Sequence, residues 1–201
     1  MIRNVVFDFG QVMVHFDPLY MAGQYAQNDA DAAQIAAVAF DRLYWDRLDA
    51  GTITDDEVIQ ACRDRLPKRL WEAAEQSYRN WMYHLPEVEG MRALVRHVRE
   101  DLGRRVLLLS NISKGFAERA SEIPCLAEFE GFVFSATCGH IKPERAIFAH
   151  LCEKFGILPH ETLFVDDSPK NVAGAKAFGI AGYLFDGDAA KLRRYLDEKL
   201  K

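Results

Sequence analysis

VVFDFGQVMV, residues 5–14, is the stretch that decides the fold: an apolar, β-branched run that reaches an acid, Asp8, where the chain turns. A second run of the same kind, LFVDD at residues 163–167, ends on Asp166 and Asp167. Open α/β sheets carry their chemistry at the carboxyl ends of their strands. The two runs therefore predict a site built from carboxylates at one edge of such a sheet.

Bulk composition limits the classes of function that are open to the chain. Its 201 residues fit one domain, or one domain with an insertion. The formal net charge of -5, with acidic and basic residues mixed, argues against nucleic acid or an anionic membrane as a partner. No apolar run reaches the ~18–20 residues that span a bilayer, and the start of the chain resembles a strand rather than a signal peptide. We therefore expect a cytoplasmic protein.

The cysteines favour the same location. They are scattered, without a C-x-x-C pair, at Cys62, Cys125, Cys138 and Cys152. Such spacing is typical of reduced thiols in a cytosolic protein. A zinc site would need clustered ligands, which the sequence does not offer.

Strand-like and helix-like patterns alternate over most of the chain. The continuous apolar runs typical of buried parallel strands are Asn4–Phe9, Arg105–Ser110, Gly131–Ser135, Thr162–Val165 and Ile180–Phe185. Helical patterns lie between them, at Ser113–Ile123, Glu144–Phe155, Pro169–Phe178 and Ala189–Leu200. This alternation predicts an α/β fold with a doubly wound parallel sheet.

Residues 15–85, the helical segment, interrupt this alternation. Their pattern is helical throughout, and Thr54 with Glu57 forms the sequence signature of a capping box. Because the segment follows the first strand directly, we interpret it as a helical cap inserted over the strand ends. The predicted domains are an α/β core of residues 1–14 and 86–201, and a cap of residues 15–85.

Four short polar segments carry the candidate chemistry. They are Asp8, Ser110-Asn111, Lys142-Pro143 and Asp166-Asp167. A carboxylate can act as a nucleophile and form an aspartyl-phosphate. Mg²⁺ prefers one or two carboxylates together with waters and phosphate oxygens, and Asp8 with Asp167 would supply the carboxylates. The Ser110 hydroxyl and the Lys142 ammonium suit the oxygens of a phosphate group. These segments together indicate Mg²⁺-dependent phosphoryl transfer to water.

With these residues the whole chain resembles the haloacid dehalogenase superfamily of hydrolases. The four motifs of that superfamily occur in order, as Asp8-Phe9-Gly10-Gln11-Val12, Leu109-Ser110-Asn111, Ile141-Lys142-Pro143 and Val165-Asp166-Asp167 with Asn171. The resemblance implies a Rossmann-like core with a helical cap and a phosphatase that acts on a small phosphomonoester.

The resemblance also implies a role for each matching residue. Asp8 would be the nucleophile, and Lys142 would act beside it in catalysis. Ser110, Asn111 and Lys142 would bind the substrate phosphate. The Mg²⁺ ligands would be Asp8, Asp167 and the backbone carbonyl of Gly10.

Asp166 and Asn171 fit a supporting role around the metal. Asn171 lies one helical turn beyond Asp167, where the superfamily often has an acid that orients the metal-bound waters. Asp166 would support Lys142 or the metal shell, or would simply be a carboxylate at a helix N-terminus.

Gly10 departs from the typical phosphatases of the superfamily, in which an acid two positions after the nucleophile protonates the leaving alcohol. A general acid contributes roughly 10²–10⁴ in rate. Three interpretations remain open for Gly10. The leaving group needs little help; or His15, Asp17 or a cap residue replaces the acid; or the domain binds phosphate or a partner with little turnover.

We favour a phosphatase because the Asp-x-Gly-x-Val form of the first motif resembles small sugar-phosphate phosphatases, including those acting on glucose 1-phosphate. Gln11 stands where that subgroup has Asn or Gly, and Gln resists the positive φ that Gly would permit.

Two other reactions of the superfamily are minor alternatives. Dehalogenases need no Mg²⁺ and lack a paired acid such as Asp166-Asp167. Phosphonoacetaldehyde cleavage requires a cap lysine, for which Lys68 is the only candidate in the helical segment.

The helical segment is rich in aromatic residues, most of which we expect in its core. For substrate contact we predict Trp45, Arg47 and His84. His140 precedes the Lys142 motif, and we interpret it as a loop residue.

Overall fold

The computed structural model describes residues 1–200 and contains one sheet of five parallel strands. The strands are β1 (Asn4–Phe7), β2 (Arg105–Ser110), β3 (Gly131–Phe134), β4 (Thr162–Asp166) and β5 (Ala181–Leu184). They lie in the order β3-β2-β1-β4-β5, so the order reverses at β1. The α/β fold predicted from the sequence is confirmed, with strand bounds within two residues of those predicted.

The described residues form eleven α-helices, joined in places by short 3-10 helices. They are α1 (Pro18–Gly23), α2 (Asp29–Ala39), α3 (Arg42–Asp49), α4 (Asp55–Arg65), α5 (Trp71–Asn80), α6 (Met91–Glu100), α7 (Lys114–Arg119), α8 (Ser135–Cys138), α9 (Arg145–Phe155), α10 (Pro169–Phe178) and α11 (Ala189–Lys199). The helix predicted over Ser113–Ile123 is shorter, because it tightens to a 3-10 turn at Ala120–Glu122. Within residues 1–200, no helix has the length and apolar character needed to cross a membrane.

The sheet is buried between two layers of helices. Successive strand residues point to opposite faces, which is why the strand runs are apolar throughout. Val5 and Phe7 pack in the apolar cluster that includes α6 and α11, whereas Val6 packs in the cluster that includes α9 and α10. The first of these clusters also takes in the buried residues of the helical segment.

The helical segment leaves and rejoins the core at one place. Val14 and Glu87 form an antiparallel bridge, and His15 N donates to Pro86 O at 2.8 Å. Residues 15–85 contain helices and turns without a strand, as predicted. The capping box is confirmed, because Thr54 N donates to the Glu57 carboxylate at 2.8 Å and Glu57 N donates back to the Thr54 hydroxyl.

The strand register brings the polar strand ends together at one edge of the sheet. Phe7 pairs with Leu108 of β2 and with Val165 of β4. Asp8, which follows Phe7, donates its N–H to Val165 O at 2.9 Å. Ligands of doubly wound sheets bind at the carboxyl edge where the strand order reverses, and here that position is the end of β1.

Candidate active site

A cavity of about 420 Å³ opens at this edge. Its lining from the core includes Asp8, Gly10, Ser110, Asn111, Lys142 and Asn171. Its lining from the helical segment, the helical wall, consists of Phe16, Arg42, Trp45, Asp49 and Trp81. The structure therefore brings most of the predicted site residues into one cleft between the core and the helical segment.

Lys142 is the centre of a buried charge cluster on the core side. Its Nζ lies 2.6 Å from Asp8 Oδ1 and 2.8 Å from Asp166 Oδ2. The exposed fractions of Asp8, Lys142 and Asp166 are 8%, 4% and 0%, so water screens these contacts poorly. Burial alone would lower the pKa of Lys142, but the two carboxylates outweigh it and raise that pKa above its usual value. Lys142 therefore stays charged.

One carboxylate oxygen of Asp8 is held in place by two contacts. Oδ1 accepts from Phe9 N at 2.7 Å and from Lys142 Nζ, so both contacts fall on the same oxygen. Oδ2 takes no part in either of them. Burial raises the pKa of Asp8, and the positive charge of Lys142 opposes that rise.

Asn111 fixes the backbone of Lys142. Its Oδ1 accepts from Lys142 N at 2.7 Å, and its Nδ2 donates to Lys142 O at 3.1 Å. This pair of bonds joins the end of β2 to the loop that carries the lysine. Substrate binding by Asn111 stays a prediction, while the geometry shows that its amide positions Lys142.

Asp166 is fully engaged within the core. Besides the ion pair with Lys142, it accepts from Ser168 N at 2.8 Å and from Asn171 Nδ2 at 3.1 Å. These contacts agree with two of the interpretations of Asp166, since it pairs with Lys142 and accepts from a backbone donor at the start of α10. A role of Asp166 around a metal stays a prediction.

A third carboxylate, Asp167, completes an acidic group. One oxygen from each of Asp8, Asp166 and Asp167 lies within 4.8 Å of the others. Asp167 is half-buried, and its pKa is raised by burial and by the neighbouring Asp166. Three carboxylates around one ammonium leave negative charge uncompensated, which is the environment a divalent cation satisfies.

The loop after Asp8 differs from expectation at Gln11. Gln11 has a φ of +57°, the left-handed conformation that its side chain was expected to resist. Contacts across the loop hold it there, since Gln11 N donates to Val14 O at 2.7 Å and Gln11 Nε2 donates to Phe16 O at 3.1 Å. At Gly10 an added Cβ would meet no atom within 4 Å. Crowding therefore does not explain why an acid is missing there.

Of the three residues predicted to contact substrate, only Trp45 lines the cavity. Arg47 lies in a separate surface groove with Tyr44 and Glu57. It follows Trp45 by two positions, and residues so spaced point to nearly opposite sides of a helix. His84 pairs with the Tyr25 hydroxyl at 2.8 Å, outside the cavity. The predictions for Arg47 and His84 were wrong in placement.

The remaining candidates also lie away from the cavity. His15 is exposed, and Asp17 caps α1 by accepting from Leu19 N at 2.9 Å. Lys68 is exposed on a 3-10 turn. His140 is a half-buried loop residue, as interpreted from the sequence.

Sequence reasoning missed Asp49, Arg42 and Trp81 in the helical wall. A signal for Asp49 was available, because it follows Trp45 by four positions. Residues so spaced share one face of a helix. A prediction that places Trp45 at the cleft also places Asp49 there.

The chain belongs to the family of haloacid dehalogenase-like hydrolases, whose model matches residues 2–179. It is 29% identical to D-ribitol-5-phosphate phosphatase of Bacteroides thetaiotaomicron, over 89% of each chain. It is 24% identical to a sesquiterpene phosphatase of Aspergillus oryzae, over 90% of this chain and 88% of that protein. The resemblance found in the four motifs is thus confirmed at the level of the family.

A solved structure shows the same fold. It is a family enzyme from Bacteroides thetaiotaomicron in complex with magnesium and inorganic phosphate. The match has a TM-score of 0.73 at 22% identity and covers 96% of this chain and 99% of that one.

Proposed function

We propose that the chain is a Mg²⁺-dependent phosphatase that hydrolyses a small phosphomonoester, a sugar or sugar-alcohol phosphate, through an aspartyl-phosphate on Asp8. The observation that carries this proposal is the buried cluster in which Lys142 joins Asp8 to Asp166, with Asp167 beside them. The phosphatases among the relatives, one of them named for ribitol 5-phosphate, support the same activity.

Asp8 is assigned as the nucleophile because contacts to one of its oxygens fix the carboxylate and leave the other oxygen available. Lys142 and Phe9 N hold Oδ1, which leaves Oδ2 to attack phosphorus. Phosphoryl transfer needs an in-line nucleophile and neutralised phosphate oxygens more than it needs other chemistry. Lys142 supplies one positive charge for this purpose, and the Ser110 hydroxyl lines the cavity as a donor.

The donor set fits Mg²⁺, which is a hard cation that takes oxygen ligands. Asp166 is already engaged by Lys142, Ser168 and Asn171. We therefore assign Asp8, Asp167 and the Gly10 carbonyl as ligands, with Asp166 and Asn171 supporting them. When bound, Mg²⁺ offsets the charge of the carboxylates and of the phosphate oxygens.

We propose that residues 15–85 act as a cap over the core of residues 1–14 and 86–201. The cavity lies between the two parts, and Phe16, Trp45 and Trp81 give it apolar walls. Such walls exclude water from a reacting centre and shape the pocket for the alcohol part of the substrate. We further propose a cytoplasmic location, which the unpaired state of all four cysteines supports.

The other reactions of the family fit less well. The paired acids Asp166 and Asp167 favour a metal and therefore phosphate chemistry over dehalogenation. The exposed position of Lys68 on its 3-10 turn offers no buried amine for a Schiff base.

A panel of sugar and sugar-alcohol phosphates, including ribitol 5-phosphate and glucose 1-phosphate, tests the proposal in Mg²⁺ and in EDTA. We expect turnover that requires Mg²⁺ and that Asp8→Asn abolishes while the circular dichroism spectrum is retained. Asp56→Asn is the matched control, because it removes an exposed carboxylate of α4 outside the cavity. Phosphate binding without turnover by the wild type would instead indicate a binding module.

A further inference from the structure

The site as described lacks a proton donor for the leaving alcohol. Gly10 has no side chain to donate a proton, and His15 and Asp17 lie outside the cavity lining. An alkoxide is a poor leaving group, so its expulsion near neutral pH calls for a general acid. The helical wall is where such a group would face the leaving oxygen, because the core holds the phosphate.

Asp49 is the one carboxyl group that the helical wall contributes to the cavity. It is the last residue of α3. Its Oδ1 exposes less than 1 Å² and has no hydrogen-bond partner among residues 1–200. Buried polar atoms nearly always have a partner, so an orphaned oxygen on a carboxyl group that lines a cavity calls for an explanation. The protonated form of the carboxyl group carries no charge, so it leaves this oxygen unpartnered at a lower cost than a carboxylate would.

The backbone of Asp49 is fixed to the core although its side chain is not. Ser135 Oγ donates to Asp49 O at 2.6 Å and accepts from Ile112 N at 2.9 Å. Gly51, with a φ of +69°, lies so close to α8 that an added Cβ would be 3.0 Å from Ala136 O. The end of α3 is thus held against the loop that follows Ser110 and Asn111, which keeps Asp49 in register with the phosphate site.

The electrostatic surroundings suit a proton donor. Burial raises the pKa of Asp49 to about 7. Arg42 and Lys142 oppose this rise, while Asp46 and Asp8 reinforce it. The C-terminal end of a helix carries partial negative charge, which further disfavours the ionised form. A carboxyl group with a pKa near the working pH can both release and recover a proton.

We propose that Asp49 is the general acid and base of this site, replacing the acid that Gly10 lacks. The inference rests on the proposed phosphatase function and adds a residue to it. It also removes the main reason to regard the domain as a binding module with little turnover.

The two half-reactions balance with Asp49 as the only proton carrier. In the first, an Asp8 oxygen bonds to phosphorus, the bond from phosphorus to the leaving oxygen breaks, and that oxygen takes the Asp49 proton. In the second, water gives a proton to the Asp49 carboxylate while its oxygen bonds to phosphorus. The bond from phosphorus to Asp8 then breaks, which regenerates the Asp8 carboxylate and releases inorganic phosphate.

The test compares two leaving groups in wild type and Asp49→Asn. p-Nitrophenolate leaves without a proton, whereas the alcohol of an alkyl phosphate must be protonated. We expect kcat/KM for the alkyl phosphate that is turned over fastest to fall by roughly 10²–10⁴ in Asp49→Asn. We expect kcat/KM for p-nitrophenyl phosphate to change little, because it reports only the first half-reaction. Asp49→Glu should recover part of the loss on the alkyl phosphate.

Asp56→Asn, which removes an exposed carboxylate of α4 outside the cavity, should leave both values unchanged. Equal losses on both substrates in Asp49→Asn, or no loss on the alkyl phosphate, would overturn the proposal. If the variant does not fold, the wild type decides: kcat/KM for the alkyl phosphate should fall as the pH rises above 7, and that for the aryl phosphate should not. Activity that survives Asp8→Asn would instead sink the proposed function itself.

Discussion

The two sides of the cavity treat their carboxylates in opposite ways. On the core side, Asp8 and Asp166 share Lys142 and accept further bonds from Phe9 N and Ser168 N. On the helical wall, Asp49 Oδ1 is buried without a partner in the described chain. The polar groups of the core thus satisfy one another, whereas the helical wall leaves one carboxyl oxygen without a hydrogen bond.

This difference separates two tasks of a phosphatase site. A nucleophile and a phosphate-binding lysine must stay charged and in place, which ion pairs and hydrogen bonds ensure. A proton carrier must change its charge in every cycle, and strong partners would prevent that. Division of the site between two parts of the chain allows each environment to suit its own task.

The largest expected effect is the loss of the core pairing. In Lys142→Met, Asp8 and Asp166 lose the cation that they share. Removal of one partner of a buried ion pair typically costs about 3–5 kcal/mol, so we expect a loss of that order in the free energy of unfolding. Urea unfolding in EDTA measures it, and Lys170→Met, at an exposed position of the cavity lining, is the control. A loss under 1 kcal/mol would contradict the pairing as described.

On the helical wall, we expect removal of the carboxylate to raise the free energy of unfolding. Because the pKa of Asp49 is raised, the folded protein binds the Asp49 proton more tightly than the unfolded chain does. The resulting stabilisation is complete below the ordinary pKa of an aspartate and is lost as the pH rises through about 7. Asp49→Asn removes the cost of a buried carboxylate but leaves a buried amide. We therefore expect the variant to be about 1–3 kcal/mol more stable than wild type at pH 8.5, with little difference at pH 5. A variant less stable than wild type at pH 8.5 would show that Asp49 has a partner in solution.

A smaller loss of stability and activity is expected at Ser135, where the helical wall meets the core. Ser135→Ala removes the hydroxyl that joins Asp49 O to Ile112 N. We expect a loss of about 1 kcal/mol in stability. We also expect a fall in kcat/KM for alkyl phosphates without a matching fall for p-nitrophenyl phosphate. Ser121→Ala, at an exposed turn, is the control. Equal losses on both substrates would mean that Ser135 supports the whole site and not Asp49 in particular.

The core side could be predicted from sequence because short, continuous stretches of the chain define its strands and the polar residues at their ends. Continuous apolar runs give the strands, and the parallel order brings Asp8 and Asp166 to the same edge of the sheet, independently of how residues 15–85 fold. The contact of Asp166 with Lys142 was among the interpretations drawn from the sequence, whereas its hydrogen bonds from Ser168 N and Asn171 Nδ2 were not predicted.

The helical wall could not be predicted to the same depth because its geometry depends on long-range packing. Asp49 is held by Ser135, which lies 86 positions further along the chain. Arg47 was predicted to contact substrate and Asp49 was not considered, because residue type alone does not reveal which face of α3 meets the cleft. Only the spacing from Trp45 carried that information.

A rapid-quench measurement on Asp49→Asn tests the division of tasks most directly. With p-nitrophenyl phosphate, the first half-reaction needs no acid, but release of phosphate from Asp8 needs Asp49 as the base. We expect a burst of one p-nitrophenolate per enzyme, slow turnover after it, and a phosphate on a peptide that contains Asp8, stable to the acid quench and released by base or hydroxylamine. Steady release without a burst at the wild-type kcat, or a variant with no phosphate on Asp8, would contradict the account.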